Sequence, residues 1–182
     1  QSELEEDEAI SLAKRLNINY EVMHLVEDHS KNFHADAHNK RYDFFMHVAK
    51  KYNANYIATA HHLNDNAETI LLNLIRGSNL YGYGGINITQ KRNNITIVRP
   101  LMCVTKKEIK AYQEVNNLTY YEDSSNSEDE FRRNRIRHHI LPLLENENPN
   151  ILKELNNYSK MMHEAFSFIR NMSITYLNEH NN

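Results

Sequence analysis

The sequence has 182 residues, of which 40% are hydrophobic and 25% charged, with a formal net charge of −3 and one cysteine. That length suits one medium domain with a real core, or one domain and part of another. The near-neutral balance excludes whole-chain electrostatic binding of nucleic acid, so any such contact must come from a local patch. The lone Cys103 excludes an internal disulfide and suits a reducing cytoplasm, and no apolar run approaches the ~20 residues of a membrane span.

The chain opens on Gln1, and residues 2–16 already read as an amphipathic helix, so we expect it to start inside a larger protein. Ser2 and Glu5 fit a capping box, and Leu4, Leu12 and Leu16 form the apolar stripe. Tyr20–Val26 reads as a strand, His29–Asp36 as a polar loop, and Ala37–Tyr52 as a second helix. Asn55–Ala60 is a short apolar strand, followed by a third helix over roughly Asn64–Arg76. This α-β-α-β-α order predicts an α/β fold, a parallel sheet with flanking helices.

Four glycines, Gly77, Gly82, Gly84 and Gly85, cluster in RGSNLYGYGGI. Gly77 is a helix stop, and the other three suggest a loop that exposes backbone to a substrate. Ile86–Pro100 predicts a hairpin turning at Asn93-Asn94, with isoleucines alternating on both arms. Thr105 and Glu108 form a capping box for a helix to about Asn117. Tyr120–Glu130 reads as a polar loop, and Phe131–Glu145 as helical up to Pro142. Asn148-Pro149 then caps a long helix from Asn150 to about Asn178. Its methionine–aromatic stripe, MMHEAFSFIRNMSITYL, reads as internal packing.

Two constellations carry chemistry. His61, His62, Asp65 and Glu68 follow the second strand and open the third helix. Asp65 and Glu68 alone are explained as a D-x-x-E cap. Their place is the carboxyl end of a strand, where open α/β sheets bind ligands and helix N-termini attract phosphate. Two acids and two imidazoles there could hold Mg²⁺, orient a nucleophile or stabilise charge. Zinc fits poorly, because adjacent His61 and His62 diverge and no cysteine helps. The second constellation is FRRNRIRHH, with Arg132, Arg133, Arg135 and Arg137 inside six residues of an acidic chain. It reads either as a phosphate-contacting segment or as a solvated face paired with the preceding acids.

Six motifs in order resemble the bacterial tRNA(Ile)-lysidine synthases of the PP-loop ATP pyrophosphatase superfamily. They are RYDFF (41–45), ATAHHLNDNAET (58–69), LIRGSNLYGYGGI (74–86), RPL (99–101), YYEDSSN (120–126) and RRNRIRHHILPLLE (132–145). The resemblance implies a PP-loop catalytic part over 1–147 and the start of a middle helical domain over 148–182. It implies a ligase that uses ATP and Mg²⁺ to adenylate C2 of the wobble cytidine in isoleucine tRNA with a CAU anticodon. Free lysine then displaces AMP to give lysidine. It implies His61, Asp65 and Glu68 as catalytic residues. It implies His62, Arg41, Arg76, Gly77, Arg133, Asn134 and Arg137 as substrate-binding, in a cytoplasmic enzyme for which a homodimer stays open.

The sequence also departs from that pattern. The family's phosphate-binding SGGxDS motif is absent, and no glycine precedes Gly77. The 182 residues are therefore expected to lack half an ATP site and to be inactive alone. His38 stands where the family more often has arginine. Other expectations compatible with the residues are a different PP-loop enzyme acting on tRNA, a metal-dependent hydrolase using the HH-D-E cluster, and a non-catalytic RNA-binding module.

Overall fold

The computed structural model describes residues 2–24, 33–118, 120, 129 and 131–180. Their order is α1 (Ser2–Arg15), α2 (Phe33–Lys51), β1 (Tyr56–Ala58), α3 (Leu63–Arg76), α4 (Leu80–Tyr83), β2 (Thr89–Arg92) and β3 (Ile95–Val98). A 3-10 turn, Pro100–Cys103, leads to α5 (Lys106–Val115). After it come α6 (Arg132–Arg135), a π-helical turn (Ile136–Ile140), α7 (Leu141–Glu147) and α8 (Ile151–His180). The chain divides into two compact units, Gln1–Ile57 with Lys91–Ile97, and Ala58–Gln90 with Val98–Asn182.

The three strands lie in the order β1-β3-β2. Thr96 N–H donates to Asn55 O at 2.9 Å and Thr59 N–H to Val98 O at 3.0 Å. Pairing thus advances along β1 and β3 together, which is the parallel pattern. β2 and β3 are joined by the expected Asn93-Asn94 turn, with Asn93 in the left-handed region at φ 55°. Only the second arm of the hairpin is an apolar ladder. Ile95 and Ile97 are buried, whereas β2 is Thr-Gln-Lys-Arg and mostly exposed.

In the first unit Tyr42 and Ala49 of α2 are buried, as are Ile95 and Ile97 of β3. Tyr42 meets Phe45 edge to face, and the Arg92 guanidinium lies 5.7 Å from its ring centre. The expected strand at Tyr20–Val26 is not formed over Tyr20–His24, and Leu25 and Val26 lie outside the described residues. Tyr20 and Val22 are exposed, and among the described residues the alternating pattern has no pleated neighbour to pack against. The polar loop expected over His29–Asp36 gives way to helix from Phe33, where Asp36 sits in the favourable first turn and pairs with Lys40 at 2.7 Å. Residues 29–32, most of the 120–130 loop and the side chains of the Ser2/Glu5 box lie outside those described.

Asparagine does the work of glycine in this glycine-poor chain. α1, α2 and α5 are each followed by a left-handed asparagine, Asn17, Asn53 and Asn117. The N–H of the next residue then reaches back to a last-turn carbonyl, as from Ala54 to Ala49 at 2.8 Å.

In the second unit α3 is the hub. Ala67, Ile136, Leu141 and Leu152 form a buried cluster, with Leu71, Leu72, Ile140, Ile151 and Leu155 packed around it. The helix expected to stop at Pro142 instead continues through it. The π turn shifts the register, Leu141 N–H bonds to Ile136 O, and Pro142 falls in the first turn of α7, where its missing N–H costs nothing. Before α8, the Asn148 side chain accepts from Asn150 N–H at 2.9 Å. Along α8 the expected stripe divides. Phe166 meets Tyr81 of α4 with centroids 5.1 Å apart, while Phe168, Ile169, Met172, Tyr176 and Leu177 are exposed.

Candidate active site

β1 ends at Ala58 and the chain turns through Thr59–His62 into α3. The turn is tied at both sides. Thr59 N–H bonds to Val98 O, and Leu63 N–H to Val104 O, both at 3.0 Å. Thr59 Oγ1 lies 2.9 Å from His61 Nδ1 and fixes the ring. His62 is the N-cap of α3, and its backbone N–H donates to Asp65 Oδ2 at 3.0 Å. The expected D-x-x-E cap does not form: the N-cap is His62, and Asp65 fills the N3 position that the motif gave to Glu68.

Glu68 does not cap. It lies one turn further on, is 1% exposed, and faces the arginines of α6 and the π turn. Arg133 Nε and Arg137 Nε donate to its two oxygens at 2.7 Å each, and Arg137 Nη2 adds a third bond at 3.0 Å. Arg133 Nη2 also donates to Asp65 Oδ1 at 3.0 Å. Acids spaced i, i+3 on one helix thus meet bases spaced i, i+4 on another. The Glu68 hydrogen bonds hold the Arg137 guanidinium more firmly charged than usual. Asn134, between the arginines, is buried.

Burial is the largest influence on both imidazoles and lowers their proton affinity. At His61, Asp65 opposes this, while Arg99, Arg133 and His62 reinforce it. At His62, Asp65 and Glu68 oppose it, and Lys106 and Arg137 reinforce it. His62 Nδ1 is buried without a hydrogen bond, its nearest acid being Asp65 Oδ2 at 3.4 Å. Both rings are thus held toward the neutral form, while the acids beside them are engaged by guanidinium or backbone N–H.

His61, His62, Asp65, Glu68, Arg133, Asn134 and Arg137 therefore share one neighbourhood. Arg76 and Gly77 do not, because they lie at the far end of α3, roughly 16 Å along its axis from Asp65 at 1.5 Å per residue. Arg41 is exposed on α2, in the first compact unit. The glycine loop, expected to line a substrate, packs instead. A Cβ on Gly84 would lie 2.6–2.8 Å from the His163 ring, and one on Gly85 would lie 2.5 Å from Asn66 Oδ1. Ser159 donates to Gly84 O, and Asn66 Oδ1 accepts from Ile86 N–H at 2.8 Å. These glycines let α8 and α3 approach the loop backbone.

Sequence reasoning missed Arg99, which stands just past β3 as the histidines stand just past β1. It is 6% exposed, and donates to Asn87 O at 2.6 Å and Gln90 Oε1 at 3.5 Å. The signal was a charged residue directly after the apolar run ITIV.

A divalent metal does not fit this cluster as arranged. Both Asp65 oxygens and both Glu68 oxygens are taken by N–H donors, and no three His, Cys, Asp or Glu among the described residues converge on a metal position.

Parallel strands β1 and β3, a helix N-terminus at the end of β1 and a carboxylate–guanidinium network beside it define an α/β domain with its site at the strand ends. A model described as the PP-loop domain matches residues 1–144, and the chain belongs to that family. It is similar to the tRNA(Ile)-lysidine synthase of Geobacillus kaustophilus, 40% identical over 139 residues, covering 76% of this chain and 30% of that protein. It is 35% identical over 162 residues to the tRNA(Ile)-lysidine synthase of Bacillus cereus, covering 89% and 34%, and 38% over 161 residues to that of Porphyromonas gingivalis, covering 84% and 35%. The chain spans about a third of the length of these relatives. The solved U34-tRNA thiolase NcsA from Methanococcus maripaludis shares the fold, with a TM-score of 0.71 and 18% identity over 87% of this chain and 55% of that one.

Proposed function

We propose that the protein is a tRNA-modifying ligase of the lysidine-synthase type, located in the cytoplasm. ATP and isoleucine tRNA with a CAU anticodon are its substrates, and free lysine is the third. The C2 oxygen of the wobble cytidine attacks the α-phosphorus of ATP, and pyrophosphate leaves. The lysine amine then attacks C2, AMP departs with that oxygen, and the amine loses a proton.

The observation that carries this reading is the Asp65–Glu68/Arg133–Arg137 network at the strand ends, in a chain similar over most of its length to relatives of that name. His61, held toward the neutral form, is the group suited to accept the amine proton. Asp65 orients the His61–His62 turn through its bond to the His62 N–H. Glu68 sets the arginines, which supply fixed positive charge for phosphate. Asn134, Arg41, Arg76 and Gly77 belong to the proposal as further substrate contacts. Mg²⁺ would serve as the counter-ion of ATP. In this proposal residues 1–147 are the catalytic part and 148–182 the start of a helical domain. No described helix is long and apolar enough to cross a membrane. A homodimer is an added proposal that sedimentation would decide.

The test is ATP-dependent incorporation of labelled lysine into isoleucine tRNA by the full-length protein. Asp65→Ala should abolish incorporation while circular dichroism is unchanged. Incorporation at the wild-type rate by Asp65→Ala would refute the assignment of the site.

A further inference from the structure

α8 carries two apolar faces and packs only one of them. Leu152, Leu155, Ser159, His163 and Phe166 look inward, to the buried cluster, the Gly84 backbone and Tyr81. At about 100° per residue, Met161, Ala165, Phe168, Ile169, Met172 and Tyr176 form a second stripe, centred roughly 130° around the helix from the first. Lys160, Glu164, Asn171 and Asn178 occupy the remaining side. All six stripe residues are exposed, and five keep more than half their surface open, from Ile169 at 51% to Phe168 at 68%. Every side chain from Ser167 to His180 is exposed as well. A helical stretch of that length is marginal in water on its own, since helices draw most of their stability from packing an apolar face. Ser173, beside the stripe, donates its hydroxyl to Ile169 O at 2.9 Å, so this polar neighbour is already satisfied without water.

The stripe is self-complementary. Measured from the point between residues 168 and 169 it reads the same both ways: Phe168 mirrors Ile169, Ala165 mirrors Met172, and Met161 mirrors Tyr176. We propose that this face of α8 binds a second copy of the chain, as an antiparallel two-fold helix pair centred at that point. Phe168 then meets the partner's Ile169, Ala165 the partner's Met172, and Met161 the partner's Tyr176. A two-fold contact requires such reciprocity, because each residue and its opposite number exchange places. The charges agree with the register. Lys160 falls opposite the partner's Leu177, Glu164 opposite the partner's Ser173, and Arg170 opposite the partner's Ser167, so no like charges meet. Two such faces together remove roughly 1,100 Å² from water, just above the ~1,000 Å² that a specific interface needs. The inference gives the homodimer proposed above its surface, and it does not depend on the chemistry assigned to the strand-end site.

The test is sedimentation velocity of the full-length protein from about 1 to 100 µM, where a monomer–dimer equilibrium is expected. Met172→Glu places a charge in the apolar seam and should raise the dissociation constant at least ~10-fold. Asn171→Glu, on the polar side of the same helix, should leave it unchanged. In a Cys103→Ser background, Met161→Cys and Tyr176→Cys should form a disulfide with each other when mixed and oxidised with copper phenanthroline. Neither should link to itself, because like positions stand roughly 22 Å apart along the paired axes. A monomer throughout the concentration range overturns the proposal, and a lower melting temperature of that monomer in Met172→Glu would show the face covered by further residues of its own chain. A dimer that Met172→Glu leaves intact overturns it too. Should that variant fail to fold, a self-linked Met161→Cys, or no link in the mixture, overturns it equally. Lysine incorporation enters none of these outcomes, so the reading of the site stands or falls separately.

Discussion

Arg137 grips Glu68 with two near-parallel hydrogen bonds, Nε to Oε1 at 2.7 Å and Nη2 to Oε2 at 3.0 Å. Arg133 takes the remaining approach to Oε2. A carboxylate so occupied is poorly placed to accept a proton or bind a metal. Its hydrogen bonds fix two guanidinium groups against α3.

Glu68→Ala removes the acceptor of three guanidinium hydrogen bonds, one from Arg133 and two from Arg137. Removing one partner of a buried pair costs about 3–5 kcal/mol, and the 41% exposure of the Arg133 side chain puts the expectation near the low end, about 3 kcal/mol. Glu68→Gln should lose less, since it keeps one acceptor oxygen but turns an amide toward a guanidinium. Urea unfolding midpoints measure both. A change below about 1 kcal/mol in the alanine variant would show the network to be incidental.

Much of this was legible because the signals were local. The Thr105–Glu108 box forms, with Glu108 N–H donating to Thr105 Oγ1 at 3.2 Å and Thr105 N–H to Glu108 Oε2 at 2.7 Å. The Asn93 turn and the start of α8 were read from their residues in the same way. What failed depended on distant partners. Tyr20–His24 alternates like a strand but has no strand partner among the described residues, and Gly84 and Gly85 look like a ligand loop because nothing in the sequence shows that His163 and Asn66 lie against them. Arg99 stands in the RPL motif, but the meaning of a lone arginine lies in its burial, which depends on residues distant in sequence.

The glycines make a contrasting pair of tests. Gly77 has φ +74° and ψ 139°, outside the left-handed helical well, but nothing lies within 4 Å of an added Cβ, so Gly77→Ala should cost backbone strain alone, about 1–3 kcal/mol. Gly85 has φ +69°, and its Cβ would meet Asn66 Oδ1 at 2.5 Å and Ile70 Cγ1 at 2.7 Å. Gly85→Ala adds overpacking to its strain and should therefore cost about 1–3 kcal/mol more than Gly77→Ala. Thermal melts of the two variants should separate clearly. Equal losses would mean that the loop yields and the packing account is wrong.

Asn66 is fully buried, accepting from Ile86 N–H at 2.8 Å and donating to Asn156 Oδ1 at 3.3 Å. Asn66→Ala strands the Ile86 N–H and should cost about 1–3 kcal/mol. Asn66→Asp keeps the acceptor but buries a charge, and should be worse at pH 7 than at pH 4. Hydrogen exchange at Ile86 reads the effect directly, and unchanged protection in Asn66→Ala would contradict it.

Stability should depend on pH through the buried histidines. His61, His62 and His163 bind protons less readily when folded, burial being the largest cause in each. The unfolded chain therefore holds more protons than the folded one just below the ordinary histidine value of 6.5, and stability rises with pH there. Their contribution is fully present above that value and is lost as pH falls through the lower folded values. The lowered carboxylates Glu21, Glu108 and Asp129 have ordinary values of 4.5, 4.5 and 3.8, so they act only at more acid pH. Urea midpoints between about pH 7 and pH 5 thus isolate the imidazoles. The midpoint should fall across that window in the wild type, and fall less in His61→Gln and in His163→Gln. A midpoint that holds level or rises as the solution is acidified would reverse the sign and show that these rings are stabilised as cations.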